Sequence, residues 1–259
     1  MRIALIGCMV MNREISRLIA ESRHVVRAWW MRQGLHDTPD KLRTELQRTL
    51  DEIEEENEQL PRARRFEVVV LAYGLCSNGV VGLRSRSLPV IVPRCDDCIS
   101  LFLGSAERYQ KIFRELEGVY WYNAGWIEQA FTPSKANYAL QREEYAELYG
   151  EENADYLMEC SNHWMTEYKS CGFITCPLGD DPAHEAYARQ AAADFGWTFR
   201  KLEGRMEYLH ALVNGPWEES RFLVCPPNCR IEAEYTGKKV CSVPAGVDDR
   251  LDRGDGSGE

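Results

Sequence analysis

The segment that most constrains this chain is residues 66–72, Phe-Glu-Val-Val-Val-Leu-Ala. A continuous run rich in β-branched and apolar residues suits a strand covered on both faces, as in a parallel sheet between helices. Comparable runs occur at 2–7, 25–30, 88–93, 118–123, 172–176, 197–202 and 222–225. Helix signals separate them. Asn12 is a candidate cap ahead of Ile15, Leu18 and Ile19, and Thr38-Pro39 opens a Glu-rich helix to about Leu60. Ser105 caps a segment after Cys98, residues 134–169 read as two helices broken near Gly150, Asp181-Pro182 starts another helix, and 206–213 is the last.

This alternation predicts an α/β protein with two Rossmann-like βαβ lobes and mainly parallel sheets. The first lobe is expected over 1–117 and carries Cys76 and Cys95-x-x-Cys98. The second is expected over 118–244 and carries Cys176 and Cys225. Residues 245–259 are Asp, Arg, Gly and Ser with nothing to bury, which predicts a disordered tail. Cysteine ends the first and third strands of each outer third, at Cys8 and Cys76 and again at Cys176 and Cys225. The pattern predicts an internal pseudo-repeat in which these pairs correspond.

Lys and Arg number 31 against 41 Asp and Glu, a formal net charge of −10. That balance supplies no basic stripe for nucleic acid and no attraction to an anionic membrane. No run approaches the roughly 18 apolar residues of a membrane span. The apolar N-terminus lacks a small-residue cleavage site, so a cytoplasmic location is expected. In a reducing compartment the ten cysteines are not expected to form structural disulfides.

Residues just past the carboxyl ends of parallel strands line the ligand crevice of an open α/β sheet. Cys8, Cys76, Cys95, Cys176 and Cys225 all take such positions. Cys95-x-x-Cys98 is the most specific local motif: two thiols three residues apart at a strand-to-helix turn can share a metal. Asp96 and Asp97 between them oppose thiolate formation, which disfavours thioredoxin-like redox chemistry, and a bound cation reverses that argument. Cys76 sits in a Gly-rich turn after the neighbouring strand. Cys76, Cys95 and Cys98 therefore make a candidate metal set, with Cys8 next and Cys176 after it. Zinc with an open fourth position and a [4Fe-4S] cluster with one iron left for substrate are both compatible with thiolates.

Cys225 and Cys229 flank Pro226-Pro227, a rigid loop for a site mouth, whereas Cys160, Cys171 and Cys241 read as packing. Arg94 and His184 are candidate catalytic residues that would orient an anionic small molecule, and with Pro226-Pro227 they are expected to border the thiol pocket. Arg84 and Arg86 flank the same strand as Arg94. No P-loop, complete G-x-G-x-x-G or G-x-S-x-G is present.

Tyr73-Gly-Leu-Cys-Ser-Asn-Gly79, Pro93-Arg-Cys-Asp-Asp-Cys98 and Leu103-Gly-Ser105 resemble the family called domain of unknown function 1638, over about residues 1–235. The resemblance implies anaerobic bacteria and archaea, a genetic neighbourhood of corrinoid-dependent methyltransferases, and so methyl-group or one-carbon metabolism. It brings no catalytic residues with it. Joined to the thiols, it points first to a metal–thiolate enzyme acting on a small molecule, with a corrinoid protein or methyltransferase as partner. An iron–sulfur electron-transfer accessory is the second expectation, and a non-catalytic zinc-binding maturation or binding protein the third.

Overall fold

The computed structural model describes residues 1–179, 182–235 and 237–246. The chain begins with β1 (Arg2–Cys8), α1 (Asn12–Glu21), β2 (Val25–Met31), α2 (Pro39–Gln59), β3 (Val68–Ala72) and β4 (Val90–Pro93). It continues through α3 (Ile99–Leu103), α4 (Ala106–Glu115), β5 (Val119–Tyr122), α5 (Ala124–Gln129), α6 (Lys135–Tyr149) and α7 (Glu151–Asn162). It finishes with β6 (Ser170–Ile174), α8 (Pro182–Phe195), β7 (Thr198–Leu202), α9 (Glu207–Asn214), β8 (Phe222–Cys225), β9 (Cys229–Glu234) and β10 (Lys239–Pro244). No helix among the described residues is long and apolar enough to cross a membrane.

The protein is α/β, with a mainly parallel five-stranded sheet and a second, parallel three-stranded sheet. It divides into two units, Met1–Cys98 with Leu209–Glu259, and Ile99–Tyr208. The lobes expected at 1–117 and 118–244 are thus redrawn. The first unit gives up α3 and α4 and takes in most of α9 with the C-terminal strands β8 to β10.

In the first unit the strand order is β2-β1-β3-β4-β8. The first four strands run parallel, and β8 lies antiparallel on β4. The apolar runs explain the centre: Ile3 to Ile6 of β1 and all of β3 are buried, as expected of strands covered on both faces. Leu42, Leu46, Leu50 and Ile53 form a buried stripe along α2 at three- and four-residue spacing, while its Glu-rich face meets water. The link from β3 to β4 has no helix. Glu54 of α2 organises it instead, its buried carboxylate accepting from the Ser85 and Ser87 hydroxyls and from the Arg86 and Ser87 backbone N–H groups. Burial alone would push this carboxyl up, but those donors hold it below its ordinary value.

β9 and β10 form an antiparallel hairpin that the sequence reading missed. Arg94, at the end of β4, ties it down. The residue is 8 % exposed, and its Nε donates to the carbonyls of Glu219 (2.8 Å) and Phe222 (3.2 Å). Its Nη1 donates to the carbonyls of Lys238 (2.9 Å) and Val240. Arg94 is therefore a backbone clamp, and the role of substrate-orienting catalytic residue does not suit it.

In the second unit the order is β5-β6-β7, all parallel. Its core gathers Tyr122, Cys171, Phe173, Ala188, Ala191, Ala192 and Trp197. The small alanines of α8 let that helix lie close, and Cys171 is a packing residue, as expected. Cys160, also expected to pack, is exposed on α7. Asp181, the expected cap of α8, lies outside the described residues, although the helix does begin at Pro182. Of the expected tail, 247–259 lies outside them too, while Ala245 donates its N–H to Asn228 O at 2.9 Å.

The element order expected of a pseudo-repeat is shared only by β1-α1-β2 and β6-α8-β7, each with its two strands paired in parallel. Its third strand was expected to match β3, yet β8 joins the other sheet with reversed direction. Cys225 pairs with Val90, at the amino end of β4, and Phe222 pairs with Pro93. Cys225 and Pro226-Pro227 therefore sit at the end of the sheet opposite Cys95, and the shared pocket expected of Arg94 and that loop does not form. A four-residue apolar run specifies burial and extended backbone; it carries no information on direction.

Candidate metal centre

The order β2-β1-β3-β4 places a topological switch between β1 and β3, whose first connections leave to opposite sides. Cys8 is the last residue of β1. Tyr73 to Cys76 follow β3 directly, and Cys95 to Cys98 follow β4. Four thiols thus collect at the carboxyl ends of three adjacent parallel strands, where such sheets bind ligands.

Two loops are zipped together to achieve this. Leu75 N–H donates to Cys95 O (2.9 Å) and Cys76 N–H to Asp96 O (3.0 Å). Gly74 permits the approach, since a Cβ there would lie 2.7–2.8 Å from the backbone N, Cα and C of Asp97. Cys76, Ser77 and Asn78 all take left-handed backbone, at φ 45°, 56° and 66°. Single residues visit that region readily only when they are Gly, Asn or Asp, so three in a row need support from their surroundings. Here the zipper and a bond from Gly79 N–H to Cys76 O (3.0 Å) supply it. Lys239 of β10 reaches over to Asp96, Nζ to Oδ1 at 2.9 Å.

Cys8, Cys76 and Cys95 are buried, whereas Cys98 is partly exposed. Burial pushes Cys76 up to about 12, with the charges of Asp97 and Cys8 adding to it. Cys95 and Cys98 lie well above the ordinary thiol value, through burial first and then through Cys76 and the neighbouring aspartates. Cys8 is raised by burial and pulled back by the Val10 N–H and the Tyr73 hydroxyl. The four thiols therefore feel one another electrostatically. Left to themselves they are neutral at pH 7 and poor nucleophiles. A cation would invert that, because a metal deprotonates the thiols it binds.

Among the described residues, however, no three His, Cys, Asp or Glu side chains are arranged to hold a metal ion. The thiols gather without converging on one point. A single zinc would need all its sulfurs about 2.3 Å from one atom. An iron–sulfur cluster asks less, since each thiolate meets a different iron. Four thiols are the donor set such a cluster takes, and one buried polar atom nearby lacks a partner. That atom is the Tyr73 hydroxyl, buried with no hydrogen-bond partner among the described residues.

The other expected site residues lie elsewhere. His184 is in the second unit, in the first turn of α8, its Nε2 3.4 Å from Glu128 Oε1. Cys176 is in the same unit, buried in the turn after β6. Cys225 is pushed up to about 12 by burial and then by Cys229 and Cys241, so these three form a separate group. Arg86 lies 3.6 Å from Glu54, and the Arg84 backbone N–H donates to Gln47. Tyr73 was not singled out from sequence, although its place between a buried strand and Gly74 was the available signal.

Residues 30–213 match the family described as Protein of unknown function (DUF1638), well over half of the chain. The chain is a DUF1638 protein. No curated protein and no solved structure matches it. The DUF1638 match takes in Cys76, Cys95, Cys98 and Cys176, and leaves out Cys8 and the strands from β8 onward.

Burial sets an order of reactivity in the metal-free DUF1638 protein. Iodoacetamide at pH 7–8 is expected to label the exposed Cys160 first and Cys76 and Cys95 last. Cys76 is raised, so burying its neutral form favours folding fully below about pH 9 and progressively less towards about pH 12. Its labelling should lag that of Cys160 up to the top of that window, where its own thiolate forms. Peptide mapping by mass spectrometry reads the order, and Cys76 labelled as fast as Cys160 at pH 8 would contradict it.

Proposed function

We propose that this DUF1638 protein is an iron–sulfur redox protein whose cluster is held by Cys8, Cys76, Cys95 and Cys98. One observation supports the reading: four desolvated thiols collected past the carboxyl ends of three adjacent parallel strands, at the switch point of the sheet. Four thiolates would occupy all four irons of a [4Fe-4S] cluster, which favours electron transfer over substrate activation. The cluster would supply one-electron chemistry when bound. The chain supplies the rest: the zipped loops fix Cys76 and Cys95, α/β packing excludes water from three of the sulfurs, and Lys239 offsets the charge of Asp96. The family resemblance supplies the setting, with a corrinoid protein or methyltransferase of methyl-group metabolism as the redox partner.

A second reading rests on Cys8, whose sulfur the Val10 N–H already engages. If Cys8 stays off the cluster, the other three thiols leave one iron open to a small-molecule substrate, and the protein is an enzyme. Anaerobic reconstitution of single variants separates these. Cys76→Ser and Cys95→Ser are expected to lose at least about tenfold in bound iron, while Cys160→Ser keeps it. Cys8→Ser should lose iron on the four-thiol reading, and should retain a four-iron centre if the open-site enzyme reading is right. Full iron in both Cys76→Ser and Cys95→Ser would rule out both.

A further inference from the structure

Tyr73 follows the last residue of β3 and is 3 % exposed. Its ring is covered, yet its hydroxyl has no hydrogen-bond partner among the described residues. Leaving a buried hydroxyl unpaired costs about 1–3 kcal/mol, so native structures seldom tolerate one without a reason. The hydroxyl faces the Cys8 thiol, near enough for each to alter the other's acidity although without the geometry of a full hydrogen bond. The Cys76 and Cys98 sulfurs are within its electrostatic reach as well. A buried, unpaired phenol O–H thus lies near three of the four thiols, and sulfur is an acceptor that this neighbourhood offers it.

We propose that Tyr73 is a positioning residue that donates its O–H to a sulfur of the centre held by Cys8, Cys76, Cys95 and Cys98, and so sets how readily that centre is reduced. The proposal rests on the iron–sulfur reading above. When one electron enters from a chemical reductant such as dithionite, the negative charge on the sulfurs grows. The O–H···S bond then strengthens, with no proton transferred and no bond broken. Tyr73 stabilises the reduced form more than the oxidised one, as hydrogen bonds to cluster sulfurs do generally.

The test compares full-length wild type with Tyr73→Phe, both reconstituted anaerobically with iron and sulfide and titrated with dithionite against redox dyes. Wild type and variant are expected to bind the same iron. The variant should be harder to reduce by about tenfold in the equilibrium constant, ~59 mV more negative for one electron. Metal-free Tyr73→Phe should melt no lower than metal-free wild type, because the lost hydroxyl leaves no partner behind. Equal iron with an unchanged potential overturns the role of Tyr73 and leaves the cluster standing. A variant that folds and cannot hold iron overturns it too, and makes Tyr73 structural. Wild type without iron overturns the cluster reading itself, and this proposal with it.

Discussion

Gly74→Ala is expected to abolish loading of the thiol centre, cutting bound iron by at least about tenfold. The added Cβ would meet the Asp97 backbone at 2.7–2.8 Å, a separation that real Cβ contacts do not show. Backbone cannot swing aside as a flexible side chain can, so one loop must leave the other. The bonds from Leu75 to Cys95 and from Cys76 to Asp96 would go, and with them the register of three thiols. Overpacking of this kind costs about 1–3 kcal/mol, a loss that a protein of this size can survive. The loss of iron should therefore exceed what unfolding explains. Gly150→Ala is the matched control: nothing lies within 4 Å of its Cβ, though φ is +86°. It should cost some stability and no iron. Iron per chain and thermal melting, measured on both variants, check this. Full loading of Gly74→Ala would show that the zipped loops do not set the site.

Arg94→Ala carries the largest expected effect on folding. The side chain is buried, and four backbone carbonyls from the β8 approach and the β9–β10 hairpin converge on its Nε and Nη1. Removing it leaves those acceptors to whatever water can enter. A loss of about 3 kcal/mol or more is expected, since each buried acceptor left unpaired costs about 1–3. For a chain of this size that corresponds to roughly 6–12 °C in Tm. Arg94→Lys should rescue little of it, because a single ammonium cannot reproduce the planar fork. A melt within about 2 °C of wild type would contradict the clamp and return Arg94 to the list of groups free to meet a substrate.

Most element positions were legible in the sequence because buried strands and capped helices write strong local patterns. β3 was readable from Val68–Ala72 alone, and α2 from Thr38-Pro39 and its apolar spacing. The placement of Cys8, Cys76, Cys95 and Cys98 at strand ends was legible for the same reason. What escaped was non-local. The direction of β8 depends on which sheet edge is free, which four apolar residues cannot encode. The duty of Arg94 depends on carbonyls more than 120 residues away. The hairpin of β9 and β10 has mixed polar strands, and it is held by distant partners, Arg94 on Lys238 and Val240 and the Gly82–Leu83 backbone on Ile231. Tyr73 was missed because an aromatic residue after a strand usually packs, and only the surroundings of its hydroxyl reveal otherwise.

On the proposed function, the switch-point thiols hold an iron–sulfur cluster. The most direct measurement is iron, acid-labile sulfide and zinc per chain in wild-type protein purified and reconstituted without oxygen. About four iron and four sulfide per chain are expected, with sulfur-to-iron charge-transfer absorption and no stoichiometric zinc. One zinc per chain without sulfide, or protein that takes up neither metal, would contradict it.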